Sequence, residues 1–171
     1  MAPEIARPSQ LWKPLPADRK QQAAEAFWRD GEATLEHAEA IAAIAQRIKF
    51  RTKSVVALPI DKKVRHLLAM PVSELVAARL LITYHLAHQR PMMGSFLDAL
   101  GVAHEEGVIA ENETPSPTPE KLKEAAAAIG KAYPPEDVSL YLSTLLWQDP
   151  ETWGALSDAP ERLAPEAAEK A

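Results

Sequence analysis

The residues best suited to chemistry lie in the segment 85–107, which holds three of the chain's five histidines together with arginine and several acidic residues. Imidazole and carboxylate groups bind metals such as zinc and exchange protons near neutral pH. If the segment is helical, His85 and His88 project about 60° apart and can reach a common ligand. His104 and one of the two glutamates after it would supply the remaining donors. The spacing permits a metal or acid–base site.

The same histidines also fit a helix corner with no ligand. No histidine follows a glutamate by three residues, and the zincin pattern His-Glu-x-x-His is absent. His88 would then be a polar residue in the last turn of a helix, and His104 a loop residue after a glycine cap. Because every recognised metal or catalytic motif is missing, we assign no metal ligands and no catalytic residues, and we expect no cofactor.

Two arginines extend this candidate site. Arg79 falls among apolar positions of its helix, and a buried guanidinium without a carboxylate costs several kcal/mol. Asp98 is the expected partner, since Glu74 points away from Arg79. Arg90 falls on the same helical face as Arg79. The candidate ligand-binding residues are therefore Arg79, His85, His88, Arg90 and His104, the basis of an alternative hypothesis of a metal- or anion-dependent enzyme or a small-molecule binder.

A second candidate region is basic. The segment 47–65 contains seven Lys or Arg residues and one acid, so the remainder of the chain is acidic. The patch residues are Arg47, Lys49, Arg51 and Lys53. Such a patch binds phosphates, nucleic acid or an acidic partner, or pairs with an acidic surface of the same chain or of a second subunit. Phe50 is the segment's only aromatic residue, and this disfavours nucleic acid.

The composition excludes several classes of protein. The chain has no cysteine, so it forms no disulfide, thiolate zinc site or iron–sulfur cluster and has no cysteine nucleophile. No apolar run reaches the roughly 18 residues that a membrane span needs. The first residues lack the apolar stretch of a secretory signal. We therefore expect a soluble cytoplasmic protein with no membrane partner.

The hydrophobic periodicity predicts an all-α fold, an irregular bundle of about six to eight helices. His37, Ile41, Ile44 and Ile48 form an apolar stripe that Val55 would continue. This favours helix over an edge strand for residues 47–53. The predicted organisation is an extended Pro-rich arm at 1–16, a main helical domain at 17–110, a Pro-rich linker or loop at 111–118, C-terminal helices at 119–156 packed on the main domain, and a flexible tail at 157–171.

Helix boundaries follow from proline and glycine. Pro59, Pro71 and Pro91 are predicted in the first turns of three helices, because that turn needs no N–H donor. Gly101 is the predicted left-handed cap of the third helix. Thr118 should cap a further helix that ends near residue 132. His37 is expected to be a hydrogen-bonded core residue.

The sequence as a whole favours a protein that acts by binding. It lacks enzyme motifs, begins with a Pro-rich arm and separates its positive and negative charge along the chain. We therefore expect an interaction or regulatory module or a self-associating subunit, with a protein partner or a second copy as the ligand. Trp12 within the arm would suggest docking onto a partner if its side chain were exposed.

Overall fold

The computed structural model describes residues 5–30 and 34–162. These residues form ten α-helices, one two-stranded hairpin and two 3₁₀ turns, so the all-α prediction is confirmed. No described helix has the length and apolar character needed to cross a membrane. The helices are α1 (Pro8–Trp12), α2 (Ala17–Arg29), α3 (Leu35–Ile48), α4 (Thr52–Val56), α5 (Ile60–Leu68), α6 (Glu74–His88), α7 (Arg90–Leu100), α8 (Pro119–Ala132), α9 (Pro135–Gln148) and α10 (Pro150–Trp153). The strands are β1 (His104–Glu105) and β2 (Val108–Ile109), and the 3₁₀ turns are Gly154–Asp158 and Pro160–Arg162.

The chain divides into two compact units between residues 87 and 88. The N-terminal unit is 7–87, and residues 88–162 lie in the C-terminal unit. The segment 111–118 contains neither helix nor strand, as expected of a loop. The helix that follows the loop packs directly on α7, so residues on both sides of the loop share one core.

The core of the N-terminal unit forms where α2 packs on α5. Phe27 of α2 and Leu67 of α5 are fully buried, and Ile44 of α3 joins them. Completely burying side chains of this size stabilises a fold by about 2 kcal/mol each. The buried residues of α2, α3 and α5 recur at helical spacing, so each of these helices buries one face and leaves the other in solvent.

His37 is a core residue, as the sequence predicts. It is buried, and its ring stacks on Phe27 with centroids 4.2 Å apart. Its Nε2–H donates to the carbonyl oxygen of Phe27 at 2.6 Å, and its Nδ1 accepts from the Thr34 hydroxyl at 2.8 Å. Both ring nitrogens are therefore satisfied inside the protein.

The first part of the main helical domain contains two helices, α2 and α3. The first ends at Arg29 and the second at Ile48, where Lys49 adopts a left-handed conformation with φ of 59°. The Phe50 N–H then donates to the Ala45 carbonyl, which closes the helix end. Val55 is buried, as its place on the stripe suggested, but it belongs to the separate helix α4. Residues 31–33 lie outside the described part of the chain.

Lys49→Gly is expected to stabilise the protein by about 0.5–1 kcal/mol. A left-handed residue with a Cβ costs about 1–2 kcal/mol, and the greater freedom of glycine in the unfolded chain offsets part of that gain. Urea unfolding measures the difference. Lys49→Ala is the control, because it removes the same charge but retains the Cβ. Equal stabilities of the glycine and alanine variants would contradict the explanation.

The core of the C-terminal unit lies between α7, α8 and α9. Phe96 of α7, Leu122 of α8 and Leu142 of α9 are fully buried. The ring of Phe96 meets that of Tyr141 edge to face at 5.5 Å. Gly101 has φ of 72° and caps α7 as predicted. Thr118 caps α8 by accepting from the Lys121 N–H at 3.2 Å.

Three local predictions differ from the structure. Residues 8–12 of the expected extended arm form α1, because Pro8 suits a first helical turn. Pro71 lies outside α6, which begins at Glu74, since Ser73 caps it through the Val76 N–H. Part of the predicted flexible tail is packed, because the Ser139 hydroxyl of α9 donates to the Arg162 carbonyl at 2.5 Å. Residues 163–171 lie outside the described range.

Candidate functional site

Arg79 forms an ion pair, but with Asp30 rather than with the predicted Asp98. The guanidinium Nη2 lies 2.5 Å from an Asp30 carboxylate oxygen, and each side chain is about a quarter exposed. Asp30 follows the last residue of α2, and the sequence pattern of α6 does not reveal that α2 lies beside it. This pair gives Arg79 a structural partner within the N-terminal unit.

His85 is buried in α6. Its Nδ1–H donates to the Leu81 carbonyl one turn earlier at 2.8 Å. Burial lowers the pKa of His85 to about 4, since a charged imidazole would lose its hydration there, and the hydrogen bond to Leu81 offsets only part of this effect. His85 is therefore neutral at physiological pH. Tyr84 contacts its ring edge to face at 5.3 Å.

His88 is exposed at the end of α6, on the C-terminal side of the boundary between the two units. It is the last residue of α6, as the helix-corner interpretation of the sequence predicts. A cation at a helix C-terminus interacts favourably with the helix dipole. This position suits a surface residue.

His104 begins a β-hairpin that the sequence analysis did not predict. The hairpin pairs His104 with Ile109 and packs on α7. The His104 Nε2–H donates to an Asp98 carboxylate oxygen at 2.7 Å, and the His104 Nδ1 accepts from the Gly107 N–H at 3.1 Å. Because both ring nitrogens are engaged, His104 fastens the hairpin to α7 and presents no open nitrogen to a substrate.

Arg90 lies at the same corner as His104. Its Nη1 donates to the Glu106 carbonyl at 3.2 Å, and the Glu106 carboxylate lies 4.0 Å away. An open cavity of about 460 Å³ is lined by Arg90, Ser95, Asp98 and Glu106, among others. The lining mixes one cation with two carboxylates, so it does not concentrate charge of one sign.

The structure places the five predicted ligand residues in two groups. His88, Arg90 and His104 lie in the C-terminal unit, where the last two hold the hairpin against α7. Arg79 and His85 lie in the N-terminal unit, and each has its own contacts there. Within residues 5–30 and 34–162, no three His, Asp or Glu side chains are placed to hold a metal ion.

The basic segment is exposed along most of its length. Arg47, Lys49, Arg51 and Lys53 are all exposed, and within the described part of the chain none of them forms an ion pair. Intramolecular neutralisation, one of the sequence-based interpretations, is therefore not seen among those residues. Four cations in seven consecutive residues leave strong positive charge at the surface.

Large apolar side chains are exposed in this same region. Phe50 is 50% exposed, Val56 55% and Ile60 37%. They are half of the large exposed apolar residues in the described chain, yet they fall within eleven consecutive positions. The Lys63 ammonium donates to the Val56 carbonyl at 3.3 Å and so holds the start of α5 beside the end of α4.

Sequence reasoning did not identify these apolar residues as functional. Ile60 continues the stripe of Val64 and Leu67, both of which are buried, so the pattern places Ile60 in the core. Of the three, only Phe50 could have been recognised from the sequence as an exposed apolar residue, because it stands between two cations in a segment with few apolar neighbours.

Comparison of the chain with protein-family models, with curated proteins and with solved structures finds no match. Any function must therefore be argued from the chain's own side chains.

Proposed function

We propose that this protein acts by binding and that its docking surface lies within residues 47–63. We call it the apolar–basic surface and define it by Phe50, Val56 and Ile60 together with Arg47, Lys49, Arg51, Lys53 and Lys62. The observation that supports it is the coincidence, on one short segment, of large exposed apolar side chains and cations that have no ion pair in the described chain.

Each half of this surface contributes differently to binding. Covering exposed apolar area contributes about 25 cal/mol per Å², so Phe50 and Val56 favour a partner that shields them from water. Clustered apolar residues at a protein surface are typical of interaction sites. The cations add little net affinity at an exposed rim, but they accelerate association and select for an acidic partner.

The occupant we propose is a second copy of this chain, because its segment 105–113 has the complementary chemistry. Glu105, Glu111 and Glu113 are exposed and form no ion pair within the described residues. Val108 between them is 42% exposed. The segment contains no Lys or Arg. It therefore presents negative charge around an apolar side chain, the reverse of the apolar–basic surface.

The contact joins two different surfaces, so it is heterologous. Such an interface closes into a ring or continues as a chain of subunits, depending on the rotation between neighbours. A small patch with a charged rim belongs to the class of weak, reversible interfaces. We expect association that depends on protein concentration and weakens as salt screens the charges.

Sedimentation velocity across micromolar to near-millimolar concentration tests this proposal. We expect concentration-dependent association of the unaltered protein. Lys49→Glu with Lys53→Glu should weaken it about tenfold or more, as should Glu111→Lys with Glu113→Lys, because each pair places like charges opposite one another. A mixture of the two double variants should associate again through the restored pairing.

The matched control is Lys123→Glu with Lys131→Glu. It changes the net charge by the same amount as Lys49→Glu with Lys53→Glu, at exposed positions outside both surfaces. Association unaffected by this control but lost in the other double variants supports the proposal. A protein that stays monomeric at every concentration overturns it. A monomer with salt-sensitive retention on a polyanion column would instead favour phosphate or nucleic acid, for which only Phe50 offers a stacking surface.

A further inference from the structure

A cavity of about 260 Å³ lies within the N-terminal unit, and neither the predicted ligand residues nor the residues of the apolar–basic surface line it. It is bounded by α1, the first turn of α2 and the residues that follow α5. The side chains that matter for its chemistry are Trp12, Lys13, Lys20, Leu68, Met70 and Val72.

Positive charge distinguishes this cavity. Lys13 and Lys20 line it, and no acidic residue is among its lining residues. Neither ammonium forms an ion pair with any carboxylate in the part of the chain that the structure describes. The nearby carboxylate of Glu74 is engaged by the Ser9 backbone N–H at 3.1 Å and by the Ser9 hydroxyl. The Lys13 ammonium and the Glu74 carboxylate also attract each other, so Glu74 offsets part of the charge of Lys13. Two cations nevertheless line one concave space whose lining residues include no acid.

The wall of the cavity is apolar. Trp12 is 6% exposed, so it is not the exposed docking residue that the sequence allowed, and its ring forms part of the cavity wall. The Lys20 ammonium lies 5.8 Å from the centroid of that ring. Leu68, Met70 and Val72 are half-buried around it. An apolar cavity of about 150 Å³ already accepts benzene, so this one has room for an aromatic body with a polar group attached.

We propose that this cavity binds a small organic anion with an apolar body, and that an aromatic carboxylate is the best match. The carboxylate would accept hydrogen bonds from Lys13 and Lys20 at the mouth. The aromatic body would pack on Trp12 and the aliphatic side chains beside it. Binding needs both the negative charge and the apolar body of the ligand, because small-molecule sites are mostly apolar with a few polar groups that orient the ligand. This site is independent of the apolar–basic surface.

Titration of the full chain with naphthalene-2-carboxylate, followed by two-dimensional NMR, tests the inference. We expect saturable shifts of the Trp12 indole N–H, with Trp28, Trp147 and Trp153 as internal references. The neutral analogue naphthalene-2-methanol should bind about tenfold more weakly or worse, because it lacks the charge that the lysines recognise. Equal affinity for the two probes, or shifts that leave Trp12 unmoved, overturns the proposal.

Variants separate the charge from the packing. Lys13→Met and Lys20→Met keep an unbranched side chain and should each raise the Kd for the carboxylate about tenfold. Lys20→Arg keeps the charge and should retain most of the affinity. Lys123→Met, at an exposed position outside the cavity and outside the apolar–basic surface, is the matched control. Unchanged affinity in both cavity methionine variants overturns the proposal, and an unaltered unfolding transition shows that any loss is local.

Discussion

Gly107→Ala is expected to lower the free energy of unfolding by about 3 kcal/mol, from overpacking and backbone strain together. A Cβ at residue 107 would lie 2.7 Å from the Met93 Cβ and 2.9 Å from the Arg90 carbonyl oxygen. Both contacts are too short, and neither partner is a flexible chain end. The backbone at Gly107 also has φ of 87°, which residues with a Cβ rarely adopt.

The structural consequence should appear at the His104 end of the hairpin. Gly107 donates its N–H to His104, so displacing the loop from α7 also disturbs the His104–Asp98 hydrogen bond. Thermal or urea unfolding measures the loss of stability. The imidazole resonances of His104 report the change in the hairpin.

Gly101→Ala is the matched control for this prediction. Gly101 also has a positive φ, of 72°, but a Cβ there meets nothing within 4 Å. It should therefore cost only backbone strain, about 1 kcal/mol. If the two alanine variants were equally destabilised, the close approach of Gly107 to α7 would contribute nothing, and the explanation would be wrong.

The protein should lose about 2 kcal/mol of stability between pH 6.5 and about pH 5 because of His85. Its pKa is about 4 in the folded protein, against an ordinary value of 6.5. Between those values the unfolded chain binds a proton that the folded chain does not, so acid favours unfolding. The loss reaches about 3 kcal/mol near pH 4 and levels off below that pH.

This pH range isolates His85 from the acidic groups whose pKa is lowered. Hydrogen bonds lower the pKa of Glu36, Glu74 and Asp149 below ordinary values of 4.5, 4.5 and 3.8. Those carboxylates destabilise the folded state only as the pH falls below their ordinary values. Above about pH 5 the slope should therefore come chiefly from His85.

Urea unfolding at a series of pH values measures this slope. His85→Asn retains a donor near the Leu81 carbonyl but cannot be protonated in this range, so its stability should be nearly flat between pH 6.5 and 5. His66→Gln controls for the loss of an imidazole elsewhere in the same unit. A slope that persists unchanged in the asparagine variant would refute the assignment to His85.

The sequence by itself determined most of the segments that become helices and where several of them end. The stripe on α3, the cap at Thr118 and the glycine at 101 act over one or two turns, so their effects can be read from neighbouring residues. Lys49 shows the limit of such reading. A left-handed lysine has no strong local signal, so the end of α3 at Ile48 was not predicted.

Only the tertiary structure decided which residues meet. Arg79 was expected beside Asp98, but its partner is Asp30, which lies 49 positions away along the chain. Asp98 instead accepts a hydrogen bond from His104. That histidine lies in a hairpin whose strands are too short to show a periodic sequence pattern. The partner of a charged side chain depends on how helices pack, and helical periodicity gives only the face on which that side chain lies.

The same reason accounts for the candidate sites. The charge of the basic segment was evident from the sequence. The exposure of Val56 and Ile60 was not, because it depends on how α4 and α5 pack. Likewise, Lys13 and Lys20 are ordinary surface residues in sequence. They become a pair of cations around one cavity only because the chain after α5 returns to α1 and α2. Local patterns determine the helices, and packing between distant segments determines the surfaces that we propose to bind.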